Sequence, residues 1–224
     1  MRTHASTARL AIFSIITAAF HAVGPVNAEP GALTKFPQHI DPACNFGRAK
    51  LYDECGSQLA LFDKALRTAN QQDKVLLVSF GAEWCIWCHV FSQHLAGAHT
   101  KMDYRLGDPG DPIYDDVTLL EKPRTDPTEQ ADRLKSFAED TFVVVHIEDQ
   151  FSPDGYDVLL QTSAVDAFTG GYPFIFTVTR EGQYAARLYH DRSSTRRDGL
   201  FSWYRGHDRS RLIAELSRMV AAAE

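Results

Sequence analysis

The chain has 224 residues, 44% of them hydrophobic, and 23 basic against 29 acidic side chains leave a net charge of −6. That is enough material for one globular domain with a full core, and the acidic balance without a long Lys/Arg run argues against general binding to nucleic acid or to an anionic membrane surface. Four cysteines exclude a disulfide-dense scaffold, but their spacing, Cys44 with Cys55 and Cys85 with Cys88, is informative.

Residues 1–28 hold Arg2 and Arg9 but no acid, then an apolar stretch from Leu10 to Phe20, then Val26-Asn27-Ala28 before Glu29. This is the grammar of a cleaved secretory signal. The competing reading, an uncleaved anchor, asks for about 20 apolar residues, more than the stretch provides. The expected mature chain is therefore periplasmic or secreted, with no stable membrane insertion, in a compartment where disulfides persist.

Residues 29–56 read as an N-terminal extension rich in turn formers, and the domain proper as 57–224. Leu59, Phe62, Leu66 and Ala69 recur at helical spacing behind Ser57, a fitting N-cap. The nearly continuous apolar run from Val75 to Phe80 suits a strand buried on both faces, with Gly81 beginning a turn. Phe91, Leu95 and Ala98 mark a helix starting near Cys85.

From 101 to about 140 the chain reads as an insertion. Its first part is polar and broken by prolines, and Asp126-Pro127-Thr128-Glu129 then opens a helix to about Asp140. Phe142 to Ile147 is the next strand. Ser152-Pro153 repeats the cap-plus-proline start, predicting a helix to about Phe168 that stops at Gly170-Gly171. Phe174 to Thr179 and Tyr184 to Tyr189 form a hairpin across Glu181-Gly182, and Leu212, Leu216 and Met219 carry a last helix behind Asp208. This order predicts an α/β fold, a mixed sheet flanked by helices.

Cys85-Ile86-Trp87-Cys88 falls where the first buried strand hands over to a helix. A helix N-terminus presents unpaired N–H groups and a partial positive charge, which stabilise a thiolate. Thiols in such motifs ionise with pKa values of roughly 3.5 to 7, so Cys85 is the expected nucleophile. The two-residue spacing lets Cys88 attack the Cys85 sulfur and resolve a mixed disulfide. With His89 the same residues spell C-x-x-C-H, the attachment motif of c-type haem. That rival needs a second axial ligand and an apolar crevice, and does not account for a buried strand directly before the motif. Zinc would need a spaced second half-site.

Val78-Ser79-Phe80-Gly81-Ala82-Glu83-Trp84-Cys85-x-x-Cys88, with Gly171-Tyr172-Pro173-Phe174 before the penultimate strand, resembles the thioredoxin superfamily. The resemblance covers about Gln58 to His99 and Phe142 to Ala222. It implies a thioredoxin-like fold with a cis Pro173 beside Cys85, the Tyr172 backbone free to pair with a peptide, and Trp84, Trp87, Glu83 and His89 supporting the cysteines. It also implies a thiol-disulfide oxidoreductase without a cofactor, whose partners are protein thiols or disulfides and a redox-recycling protein. A binding or chaperone module with a mainly structural disulfide is the alternative from another class.

Several residues depart from the family pattern. Ser79 stands where thioredoxin itself has a buried Asp that assists the resolving cysteine, and Glu83 and His89 are the nearest substitutes. The 101–140 insertion replaces a short link. Cys44 and Cys55 read as a structural disulfide worth roughly 3 kcal/mol through loop closure, against a redox relay to Cys85. His146, inside a strand, reads as a satisfied core histidine. Asp108, Asp111, Asp115 and Asp116 lack a calcium-loop pattern. Arg192, Arg196, Arg197 and Arg205, near Phe201, Trp203 and Tyr204, form a candidate partner-binding loop.

Overall fold

A computed structural model describes residues 31–98, 102–105, 118–121, 128–196 and 204–224, with backbone alone at 102–105, 118–121, 128, 196 and 204–205. In chain order the strands and helices are β1 (Thr34–Phe36), α1 (Gln58–Gln71), β2 (Val75–Gly81), α2 (Ile86–Leu95), β3 (Met102–Arg105), β4 (Thr118–Glu121), α3 (Thr128–Thr141), β5 (Phe142–Glu148), α4 (Gly155–Gln161), β6 (Phe174–Val178), β7 (Tyr184–Arg187), α5 (His190–Ser193), β8 (Ser194–Arg196), β9 (Tyr204–His207) and α6 (Arg209–Ala223). Five strands form one mixed sheet in the order β1-β5-β2-β6-β7. The first three run parallel to one another, β6 runs antiparallel to β2, and β7 runs antiparallel to β6. The fold is thus α/β, with helices on both faces.

The alternation of the central strands divides the core in two. Leu76, Val78 and Phe80 of β2, with Val143, Val145 and Ile147 of β5, meet Phe62, Ala65 and Ala69 of α1 and Val158 and Leu159 of α4. Leu77, Val144 and Ile175 face the opposite way, onto Phe91 and Leu95 of α2, Leu134 and Ala138 of α3, and Leu212, Leu216 and Met219 of α6. Because β5 and β2 are covered on both faces and paired on both edges, every one of their positions from Leu76 to Gly81 and from Phe142 to Glu148 is buried. Ser79 and His146, cross-strand partners, interrupt the apolar α2 face, and Glu148 adds a buried carboxyl at the end of β5.

Four local expectations change. The 29–56 extension contributes β1 and so belongs to the sheet, as its parallel edge strand. In the polar first part of 101–140, where no strand was expected, β3 and β4 pair as an antiparallel ladder, and Ala131, Leu134 and Ala138 bury the expected helix, α3, against the core. The long helix expected from Ser152 to Phe168 is a shorter α4, followed by a single 3-10 turn at Val165–Ala167. Its expected cap, Ser152, is used elsewhere, its Oγ donating to Glu148 O, and Asp154, the residue directly before α4, accepts from Gln58 N at 2.7 Å and Ser57 Oγ at 2.6 Å. The helix then breaks where Ser163 adopts a positive φ of 60°. Finally, β8 and β9 form a small ladder where no strand was expected.

Ser57 and Asp208 do cap α1 and α6, accepting from Ala60 N and Arg211 N. Residues 1–30, which hold the expected signal segment, and 106–117, with the four aspartates, lie outside the described residues. Among the described residues no helix is long and apolar enough to cross a membrane.

Candidate active site

The parallel strands β2 and β5 end side by side at the paired residues Gly81 and Glu148, and the chain leaves Gly81 through a short turn into α2. Cys85 is the N-cap of that helix, with extended backbone (φ −74°, ψ 98°), and its Sγ accepts from Cys88 N at 3.2 Å. Cys85 and Cys88 are joined in a disulfide. Any charge developing on Cys85 would face the backbone N–H groups of the first turn, that of Cys88 among them.

The pair is closed over by side chains. Cys85 is 2% exposed and Cys88 fully buried, with Leu51, Trp84, Trp87 and Tyr172 packed around them. Trp84 Nε1 donates to Gln150 Oε1 at 2.6 Å, and its ring meets Tyr172 edge-on at 5.9 Å. The Tyr172 hydroxyl donates to Asp149, next to Glu148 at the end of β5. The Tyr172-Pro173 peptide bond is cis, Pro173 is buried, and its carbonyl accepts from His190 Nε2 at 2.9 Å.

Glu83 and His89 are neither solvated nor free to serve a sulfur. Their side chains are 12% and 24% exposed, with His89 Nε2 3.4 Å from Glu83 Oε1 and 2.6 Å from the Glu83 carbonyl. Glu83 Oε2 accepts from Leu51 N and Tyr52 N, both at 2.8 Å. This carboxylate therefore clamps the N-terminal segment to the turn before Cys85. Beneath it, Glu148 accepts from the backbone N–H groups of Glu83, Gln150 and Phe151. Burial nevertheless raises the Glu148 carboxyl to about 7, because loss of water outweighs those three donors.

Sequence reasoning missed Tyr52. It is fully buried, packs against Cys85 and Cys88, and its hydroxyl lies 2.9 Å from Ser79 Oγ. Burial raises its phenol well above the ordinary range, with the Glu148 and Glu83 charges acting in the same direction. The available signal was Ser79 itself, since a hydroxyl inside an otherwise apolar buried strand requires a partner.

His146 is a core histidine but not a satisfied one. Neither ring nitrogen has a hydrogen-bond partner, its ring meets Tyr52 edge-on at 5.3 Å, and burial, followed by the Lys35 and His89 charges, lowers it to about 3.

Cys44 and Cys55 are also disulfide-bonded, with Cα atoms 5.9 Å apart. Asp53 Oδ1 accepts from Cys55 N at 3.0 Å and Gly56 N at 3.1 Å, tightening that loop. Among the described residues, Cys44, Asp53 and Cys55 are the one group close enough to share a metal ion, and its two sulfurs are bonded to each other. The haem alternative fits poorly as well, because both motif sulfurs form a disulfide and the His89 Nε2 is turned to Glu83. Of the arginine-rich loop, Arg192 pairs with Glu215 at 3.2 Å and lies over Tyr189, while Arg197, Phe201 and Trp203 fall outside the described residues.

The chain matches no protein-family model, and a search of curated proteins returns no match.

Proposed function

We propose that the protein is an exported thiol-disulfide oxidoreductase of thioredoxin-like fold. The sheet order, with three parallel strands followed by an antiparallel pair, agrees with that fold. One observation carries the functional reading: Cys85 caps the helix that follows the central strand, and Cys88, one turn on, is bonded to it.

In the reducing direction, the Cys85 thiolate attacks a substrate disulfide, forming a mixed disulfide and releasing one substrate thiol. Cys88 then attacks Cys85 Sγ, the second substrate sulfur leaves, and the Cys85–Cys88 disulfide closes. The oxidising direction is the reverse. The two sulfurs carry the electrons, and protein thiols and a recycling partner supply or remove them. The aromatic rim of Trp84, Trp87 and Tyr172 is the surface such a partner would engage before reaching the sulfur.

The near-complete burial of Cys85 favours a second reading, in which the disulfide is a structural brace in a binding module. Equilibration of the protein with glutathione redox buffers, followed by mass spectrometry, separates the two. An oxidoreductase pair exchanges with a potential inside the roughly −270 to −120 mV range of catalytic dithiols. A brace stays oxidised below about −300 mV, the range of structural disulfides.

A further inference from the structure

We infer that Tyr52 donates the hydrogen bond that prepares Cys88 to resolve the mixed disulfide, with Ser79 holding its hydroxyl in place. The inference rests on the redox reading above and assigns a role within it to the N-terminal segment.

The geometry centres on Gly81. A Cβ built there would lie 2.6 Å from Cys88 Sγ, 3.1 Å from Tyr52 Oη and 3.5 Å from Tyr52 Cζ. The bare Cα thus leaves one small space that the resolving sulfur and the phenol share. Cys88 is fully buried, so a thiolate there is shut off from bulk solvent, and a buried anion without a donor is strongly disfavoured. Ser79 Oγ, 2.9 Å from Tyr52 Oη, can donate to the phenol oxygen and leave the phenol proton for sulfur. The titratable groups facing Tyr52 are Glu148 and His146 from β5 and Glu83 from the turn before Cys85. Burial, with the two carboxylates acting in the same direction, keeps the phenol protonated, so its role is donor and not base.

The reaction balances without a further reagent. Cys88 gives up its thiol proton, the thiolate forms a bond to Cys85 Sγ as the bond from Cys85 to the substrate sulfur breaks, and the departing substrate thiolate takes up one proton. Tyr52 keeps its own proton throughout.

The test is stopped-flow reaction of the reduced full chain with 5,5′-dithiobis(2-nitrobenzoate). Cys85 releases the first thionitrobenzoate, and attack by Cys88 on the resulting mixed disulfide releases the second. Two equivalents from the unsubstituted protein support the redox reading, and failure to release the second would overturn that reading separately. With Tyr52→Phe, the first phase should be unchanged and the second roughly tenfold slower, its pH profile moved upward by about one unit, as expected for loss of a hydrogen bond to a charged group. Because Glu148 titrates in the same window, the shift should persist when Tyr52→Phe is made in a Glu148→Gln background. Ser79→Ala, which keeps the phenol but loosens it, should show part of the same slowing and decides the matter if Tyr52→Phe does not fold. A second phase with unchanged rate and pH midpoint in the folded variants would overturn the inference.

Discussion

Cys55 reaches the surface in a loop pinned by the Asp53 carboxylate, whereas Cys85 caps a helix and is almost closed to solvent under an aromatic rim. The exposed cysteine caps no helix, and the cysteine that caps one is shielded. Access and activation are thus separated between the two disulfides, and on the proposed function any reagent or partner reaches Cys85 only as Trp84, Trp87 or Tyr172 gives way. The two regions are nevertheless joined: the loop closed by Cys44–Cys55 carries Leu51 and Tyr52, which pack on Cys85–Cys88 and are fixed through Glu83.

The sharpest way to break this contrast is by substitution of the cysteines. Cys85→Ser should reduce insulin-reduction activity to background. Cys44→Ser with Cys55→Ser should keep that activity, because Glu83 still holds the segment, while unfolding stability in denaturant falls by roughly 3 kcal/mol. Loss of exchange in the folded double variant would instead establish a relay between the pairs. Gly81→Ala probes the space that Cys88 shares with Tyr52: its Cβ would meet Cys88 Sγ at 2.6 Å, and the displacement should cost about 1–3 kcal/mol and slow Cys88 more than Cys85.

The pH dependence of stability is a smaller effect whose sign differs between groups. His94 and His146 are lowered from 6.5 to about 3, chiefly by burial, so between those values the unfolded chain binds more protons. Their contribution is present above about pH 6.5 and lost as pH falls toward 3. Glu148, raised from 4.5 to about 7, acts oppositely: its contribution is present below 4.5 and lost as pH rises through 7. The melting temperature should therefore climb from acid toward neutrality, with the two histidines dominant. Glu148→Gln should remove the opposing decline near neutrality, which calorimetry across that range would detect.

The elements that were legible in the sequence are those whose signal is local. Val75–Phe80 and Phe142–Ile147 are apolar runs interrupted only by Ser79 and His146, and Ser57 and Asp208 cap their own helices. Where a side chain acts at a distance, the pattern misleads. Ser152 reads as a helix cap but donates to the Glu148 carbonyl instead, and Thr34–Phe36 becomes a strand because β5 offers it a parallel edge. The cysteine motif was readable for the same local reason, since strand, turn and helix start are contiguous. Tyr52 was not, because its importance comes from a hydroxyl contact with Ser79 that the loop fold creates. Glu83 looked like a substitute acid for the resolving thiol, and only its two backbone partners identify it as a clamp.

The central claim, that the start of α2 activates Cys85, is tested most directly by the pH dependence of iodoacetamide alkylation of the reduced protein, with each cysteine quantified by peptide mass spectrometry. The account predicts that Cys85 is modified first, with a midpoint well below the roughly 8.5 of an ordinary thiol, and that Cys88 follows only at higher pH. Preferential labelling of Cys88, or an ordinary midpoint for Cys85, would contradict it.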